Sequence, residues 1–231
     1  MIVRSRIDGY ARVGLALVAL AALAATLERA IRVGEGAQSW ISYFTNLSNM
    51  LGAYVLFTDG VAVLRGTRRV PGLVRGAATL YLLITGAVYW TLLTGTMDAT
   101  TVPWANDVVH AVIPAAFLAD WLIRPPTHRV PWAKAQLWMA FPLLYLAFSL
   151  LRGPSADWYP YDFLDPRGPG GYAHVLLWSV IMTAAFAAAL ALLVLWANLA
   201  RANRRPGPRP PAPGSDDLPG GAGTSGAGRH V

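Results

Sequence analysis

Six long apolar stretches dominate the sequence and restrict the possible folds more than any other feature. A transmembrane helix needs about 20 mostly apolar residues, and the stretches cover residues 11–27, 40–64, 72–93, 103–123, 135–151 and 172–197. Hydrophobic residues make up 55% of the chain and charged residues 13%, which is too little charge to coat a soluble domain of this size. The sequence predicts an all-α polytopic membrane protein, a bundle of six transmembrane helices.

The distribution of basic residues predicts the orientation of the bundle. Fifteen of the 19 Lys and Arg residues precede or open the first span, follow the sixth, or lie in or directly beside the loops joining spans two to three and four to five. By the positive-inside rule, both termini are cytoplasmic and the protein is a multi-pass protein of the cell membrane. We divide the chain into a cytoplasmic N-terminus (1–10), the transmembrane domain (11–200) and a Pro/Gly-rich, disordered cytoplasmic tail (201–231). A cleaved signal peptide at the start of the chain is the alternative to the first span.

Composition also excludes several classes of function. The chain has no cysteine, which removes disulfides, thiolate metal sites and a cysteine nucleophile. Its net charge of +7 is spread over several short loops, so we predict membrane topology and no nucleic-acid partner. A retinal Schiff base needs an intramembrane lysine, and the single lysine, Lys134, falls in a loop.

Polar residues cluster near one end of the predicted spans. Ionisable and polar groups inside a membrane are the first candidates for a functional site. Counting about 1.5 Å per residue from the outer ends, Thr45, His110 and His174 all lie within about 10 Å of the outer surface. The same level receives Asn46, Asn49, Asn106, Asp107, Tyr89, Trp90 and Trp178, whereas the inner halves are mostly Ala, Leu and Val. This arrangement is typical of a site that is approached from outside or from the outer leaflet.

Each of these residues also has a purely structural interpretation. A single histidine near a helix end, such as His110, can bond to a neighbouring carbonyl, and His174 can be a residue at the edge of a loop. Thr45 can bond back to its own helix, and Asn46 and Asn49 can serve helix packing. Asp120 and Arg124 are spaced for a pair at the inner interface.

Three segments resemble one family of membrane proteins. They are Phe44–Thr45–Asn46–Leu47–Ser48–Asn49 on span two, His110–Ala111–Val112–Ile113–Pro114 running to Asp120–Trp121 on span four, and the run from Trp158 to Pro166 before span six. Together they resemble the bacterial Pr6Pr membrane proteins, which are similar to the androgen-induced six-span proteins of animals. The resemblance covers about residues 10–197, with a departure at Asp162, where a second proline is expected.

The resemblance implies a lipid ester hydrolase. The animal proteins hydrolyse fatty acid esters of hydroxy fatty acids with an intramembrane threonine and a histidine, which implies Thr45 as nucleophile and His110 as general base. The substrate would be a lipid from the bilayer, with no cofactor and no metal. Protein partners are not indicated.

Further residues can be assigned by chemistry. An oxyanion needs donors, for which the amides of Asn46 and Asn49 are candidates, and Asn106 or Asp107 can orient the histidine. We expect Tyr89, Trp90, His174 and Trp178 to line the pocket. Trp90, Trp158, Tyr159 and Tyr161 form either a lid or an interfacial aromatic belt.

Three alternatives remain open from the sequence. One is a non-catalytic membrane protein that binds a lipid or small molecule as a sensor or transporter. The second is a structural or regulatory partner protein. The third is a zinc hydrolase that uses Asp107, His110 and His174 as its three ligands.

Overall fold

The computed structural model describes residues 2–95 and 101–203, with side chains from residue 6 onward, so most of the predicted tail lies outside the described residues. Every regular element in this part of the chain is helical. Six helices are long and apolar enough to cross a membrane. They are α1 (Ile2–Arg32), α3 (Phe44–Arg65), α4 (Gly72–Leu93), α5 (Pro103–Ile123), α6 (Trp132–Ala156) and α7 (Gly171–Ala202), and a short α2 (Gly36–Ile41) follows α1.

The predicted bounds are right for α4 and α5, whereas α1, α6 and α7 extend past the predicted spans. Hydropathy detects only the apolar centre of a helix, and the helix continues into polar turns at each end. The prediction for span two starts too early. The chain turns extended at Tyr43 (φ −77°, ψ 131°), which separates α2 from α3. The Asn46 side chain holds this break by donating to the carbonyl of Trp40 at 2.7 Å.

Two of the long helices leave the regular α-helical pattern on the same side of the bundle. α4 ends in a π-helical turn, Tyr89–Leu93, and α5 contains another, Val108–Val112. A π-helical turn shifts the backbone bonding from four to five residues and reorients the side chains that follow. These turns carry Tyr89 and His110, so the irregular backbone coincides with the polar residues of the sequence analysis.

The opposite side of the bundle is closed by charged side chains. We call it the basic end, and the side that carries Thr45 and His110 the site end. At the basic end Arg12 of α1 lies 3.1 Å from Asp59 of α3 and contacts Asp120 of α5. Arg75 of α4 binds the other oxygen of Asp120 at 2.7 Å. The inner halves, which are mostly Ala, Leu and Val, therefore also contain a network of paired charges that the sequence analysis did not predict.

Candidate functional site

Thr45 and His110 meet at the site end. Thr45 lies in the first turn of α3 and His110 in the π-helical turn of α5, and the Thr45 Oγ1 to His110 Nε2 distance is 3.2 Å. Both side chains are partly buried. This is hydrogen-bond distance, the range that a general base needs to take the proton of a hydroxyl.

The second ring nitrogen fixes which atom donates. His110 Nδ1 lies 3.1 Å from the main-chain carbonyl of Asn106, and a carbonyl can only accept. In the neutral ring Nδ1 therefore carries the proton and Nε2 has the free lone pair. The Thr45 hydroxyl then donates to Nε2, which is the arrangement of a base that activates an alcohol. The orienting group is the Asn106 backbone, whereas the sequence suggested side chains, and the Asp107 carboxylate is on an exposed residue.

α4 holds the His110 ring from one face. The Tyr89 ring stacks on it, with centroids 4.0 Å apart and planes at 16°. The Asn106 amide donates to the Tyr89 hydroxyl at 2.6 Å, so the asparagine side chain positions the tyrosine. Trp90 Nε1 donates to the His110 carbonyl at 3.2 Å. That carbonyl lacks the usual donor four residues later because Pro114 has no N–H.

Two tyrosines lie beside the start of α3, next to Thr45. The first N–H groups of a helix have no partner inside it and carry partial positive charge. The Phe44 N–H donates to the Tyr145 hydroxyl at 3.2 Å, and that hydroxyl donates to the Ser42 carbonyl at 2.8 Å. Tyr161 lies beside Thr45, since both residues line the same two cavities. Burial raises the pKa of the Tyr161 phenol, so it remains a protonated donor at neutral pH.

Tyr145 and Tyr161 are the members of this arrangement that sequence reasoning missed. Tyr161 belongs to the aromatic run before the last span, which the sequence assigned only to a lid or belt. Tyr145 is a single phenol in the apolar sequence of α6, and a phenol placed there needs a buried partner. That need was the available signal.

The two asparagines of α3 have structural partners, and this corrects the oxyanion assignment. The Asn46 amide is occupied by Trp40 at the helix break. The Asn49 amide donates to the carbonyls of Thr45 at 2.9 Å and Val109 at 3.1 Å, so it ties α3 to α5 beside the site. Both N–H groups of the Asn49 amide are therefore occupied, and Tyr161, which lines both cavities together with Thr45, is the remaining candidate donor.

Thr45 lies on the wall of two cavities of opposite character. An apolar cavity of about 80 Å³ lies between α3, α4, α6 and α7, with Ile84, Met139 and Phe186 in its wall. A more polar cavity of about 420 Å³ lies toward the site end, lined by His110, Asn106 and Glu35 among others. Thr45, Leu93 and Tyr161 belong to both walls. The hydroxyl therefore separates an apolar compartment from a polar one.

The predicted lining residues divide into two groups. Tyr89 lines the polar cavity, as do Trp158, Tyr159 and Tyr161 of the aromatic run. Trp90, His174 and Trp178 line neither cavity, which corrects that part of the prediction. Trp90 is 53% exposed, and the His174 ring packs against Trp178 with centroids 6.2 Å apart. Trp90 lies in the π-helical turn of α4, which periodicity did not reveal, whereas His174 and Trp178 are half-buried on α7 outside both cavity walls.

The alternative zinc set is not assembled. Within residues 2–95 and 101–203, no group of three or more His, Asp or Glu side chains is arranged to hold a metal ion. His110 instead uses both ring nitrogens in contacts with protein atoms.

Comparison of the chain with protein-family models, with curated proteins and with solved structures returns no match. The resemblance to the Pr6Pr proteins therefore rests on the three segments alone.

Proposed function

We propose that the protein is an intramembrane hydrolase of lipid esters, with Thr45 as nucleophile and His110 as general base. The observation that carries the proposal is the 3.2 Å contact between Thr45 Oγ1 and the His110 nitrogen whose lone pair is left free by the Asn106 carbonyl. The resemblance to the Pr6Pr and androgen-induced proteins supports the same pair of residues and suggests fatty acid esters of hydroxy fatty acids as substrates.

The two cavities suggest how a lipid ester binds. The acyl chain next to the ester enters the apolar cavity, and the alcohol portion with its polar groups occupies the larger cavity. The ester carbon then lies at Thr45, the residue on the boundary. Apolar surface holds the chain without directional contacts, while the Tyr161 hydroxyl provides a polar contact at the ester.

Acylation follows from these positions. The Thr45 proton moves to His110 Nε2 as Oγ1 forms a bond to the ester carbon, and the carbonyl π electrons move to its oxygen. That oxyanion accepts a hydrogen bond from the Tyr161 hydroxyl. When the tetrahedral intermediate collapses, the bond to the alkoxy oxygen breaks and His110 returns the proton to the leaving alcohol. The product is an acyl-threonine ester.

Deacylation repeats the sequence with water. His110 Nε2 takes a proton from water, the hydroxide oxygen attacks the acyl carbon, and Thr45 Oγ1 leaves with the proton that His110 returns. The products are a fatty acid and the regenerated pair. Tyr89 keeps the imidazole plane fixed throughout by stacking.

The charge distribution supports the orientation that goes with this proposal. We assign the basic end to the cytoplasm by the positive-inside rule, with both termini cytoplasmic in the cell membrane. The site end then faces outward, and lipid reaches the apolar cavity from the outer leaflet.

The test is covalent labelling of the full chain, purified in detergent, with a fluorophosphonate probe and mapping of the adduct by mass spectrometry. We expect an adduct on Thr45 that is lost in Thr45→Ala and His110→Ala. The matched controls are Thr91→Ala, a threonine that bonds to its own helix at Ala87, and His174→Ala, a histidine outside both cavities. Labelling that persists in Thr45→Ala, or that is lost equally in the controls, would contradict the assignment.

Hydrolysis of a long-chain ester by the same variants provides an independent readout. Removal of a nucleophile or its base costs several orders of magnitude in kcat, on the order of 10³-fold or more. The second candidate, a non-catalytic lipid-binding protein, is favoured specifically by the apolar cavity. It predicts lipid bound in that cavity with no adduct and with no dependence on His110.

A further inference from the structure

A third cavity opens at the basic end, about 22 residues along α3 from Thr45. It has a volume of about 820 Å³ and lies between two loops, residues 66–71 and 124–131, and the adjoining ends of the long helices. Its wall contains six Arg and Lys side chains and one histidine, and no Asp or Glu. The six are Arg68, Arg69, Arg75, Arg124, Arg129 and Lys134.

Three of these six cations are paired with carboxylates that lie outside the cavity wall. Arg69 binds Asp59 at 2.5 Å, Arg75 binds Asp120 at 2.7 Å, and Arg124 contacts Asp8. In the described part of the chain, the exposed Arg68, Arg129 and Lys134 have no carboxylate partner. The cavity wall therefore has three positive charges that are not compensated by a carboxylate.

The cavity wall is held in place by contacts between elements. The Asn198 side chain of α7 accepts from the Val130 N–H at 3.0 Å and donates to the Val130 carbonyl at 3.1 Å. Arg75 donates to the Arg124 carbonyl at 2.9 Å. Gly72 packs so closely against Pro126 that an added Cβ would lie 2.9 Å from the proline ring. A wall fixed in this way keeps the cations apart without a bound anion, so little ordering is needed on binding.

We propose that this cavity binds the phosphate headgroup of an anionic phospholipid in the leaflet at the basic end. Arginine presents several N–H donors in a planar fork that matches phosphate oxygens. An apolar surface adjoins the cations, because Ile123 lines the cavity and is 74% exposed. Basic pockets between transmembrane helices suit a headgroup above, with acyl chains along the helices below. This site is independent of the Thr45–His110 pair.

The test is native mass spectrometry of the full chain, purified in a neutral detergent and titrated with dioleoyl phosphatidylglycerol, dioleoyl phosphatidylcholine or inorganic phosphate. We expect phosphatidylglycerol to bind at least about tenfold more tightly than phosphatidylcholine. The double variant Arg68→Gln/Arg129→Gln should lose that preference. The matched control is Arg6→Gln/Arg65→Gln, which removes two exposed, unpaired cations from the described residues of the same end but outside the cavity wall.

The outcomes distinguish a specific site for the lipid headgroup from unspecific attraction of lipid to positive charge. Loss of affinity in the cavity variant alone, with an unchanged unfolding midpoint, supports the proposal. Equal losses in both variants, or no preference for phosphatidylglycerol, would overturn it in favour of unspecific attraction of lipid to positive charge. Binding of inorganic phosphate that displaces the lipid and depends on Arg68 and Arg129 would overturn the lipid assignment in favour of a soluble phosphate compound.

Discussion

The basic end and the site end of the bundle use different polar contacts to join their helices. Each must join helices across a region where unpaired polar groups are costly. The basic end uses opposite charges, with Asp59 fully buried between Arg12 and Arg69. The site end uses neutral groups, such as the amide of Asn49 and the stacked rings of Tyr89 and His110.

The two ends also differ in how completely their buried polar atoms are hydrogen-bonded. At the basic end, both Asp59 oxygens are bound, by two arginines and by the N–H of Val70. Within the described residues, buried polar atoms without a hydrogen bond include Ser48 Oγ, Asn49 Oδ1 and Thr85 Oγ1. Ser48 and Asn49 follow Thr45 within one helical turn, and Thr85 lines the apolar cavity. Incomplete pairing of this kind is typical of functional sites, which agrees with the function proposed for the site end.

The largest expected effect concerns Asp59. Asp59→Asn removes a fully buried charge that compensates the buried Arg12 and the more exposed Arg69, and leaves Arg12 with Asp8 and Asp120 as its carboxylate partners. Breaking a buried pair in this way costs about 3–5 kcal/mol in the free energy of unfolding, measurable by unfolding in mixed detergent micelles. The control is Asp107→Asn at the site end, where the carboxylate is exposed and we expect a change within about 0.5 kcal/mol. Similar losses in both variants would remove the distinction between the ends.

The next effect tests whether the site end depends on close packing. An added Cβ at Gly86 of α4 would lie 2.9 Å from the His110 carbonyl and 3.2 Å from Pro114. Gly86→Ala should therefore push α5 away, with a cost of about 1–3 kcal/mol. Ester hydrolysis should fall by about 10²-fold, because a shift near 1 Å misplaces the base.

Gly14→Ala in α1 is the matched control for Gly86→Ala. Nothing lies within 4 Å of the position of its added Cβ, and alanine favours the helix over glycine by about 1 kcal/mol. This variant should be as stable as the parent or more so, with unchanged hydrolysis. A Gly86→Ala protein with full activity would show that the site tolerates movement of α5.

The predictability of the molecule from its sequence also differs between the ends. The six spans follow from hydropathy because apolar length is a local property, and α4 and α5 are recovered with their bounds. The proximity of Thr45 to His110 was an expectation from depth and resemblance. Helix packing was one of two interpretations of Asn46 and Asn49, but their partners were not predictable, because the break at Tyr43 and the approach of Val109 depend on how the helices pack.

The ionic cluster at the basic end shows a further limit of sequence reasoning. Asp120 and Arg124 suggested a local pair at helical spacing, and their contact is 3.7 Å. The partners that matter more, Arg12 and Arg75, come from other helices. The spacing of residues within one helix cannot predict an ion pair whose partner lies on another helix. The π-helical turns could not be predicted for a related reason, because they depend on packing against the neighbouring helix and not on local helix propensity.

A matched pair of asparagines compares polar satisfaction at the two ends. Asn198 at the basic end satisfies both the N–H and the carbonyl of Val130, whereas Asn49 at the site end has an unpaired Oδ1. Asn198→Ala leaves the Val130 groups without partners and should cost about 1–3 kcal/mol. Asn49→Ala removes an unpaired atom along with two bonds to helix carbonyls, so its cost should be smaller, about 1 kcal/mol. Unfolding midpoints decide the order, and the reverse order would contradict the comparison.

The smallest expected effect concerns a charged pair that the site end does possess. Arg167 binds Asp165 at 2.7 Å in the loop before α7, where half of the arginine side chain is exposed. The hydrogen bond from Arg167 holds the pKa of Asp165 below its ordinary value. A lowered pKa means that the pair stabilises the loop above about pH 4, the ordinary range for Asp, and that this stabilisation is lost as the pH falls through the lower pKa of the folded protein.

Amide exchange at the Arg167 N–H, which donates to Asp165 at 2.9 Å, should speed up over that pH interval after correction for intrinsic rates. Asp165→Asn should remove the pH dependence while the unfolding midpoint hardly changes, since exposed pairs contribute little. A large shift of the midpoint would mean that charge stabilises the site end as well, and the contrast with Asp59 would fail.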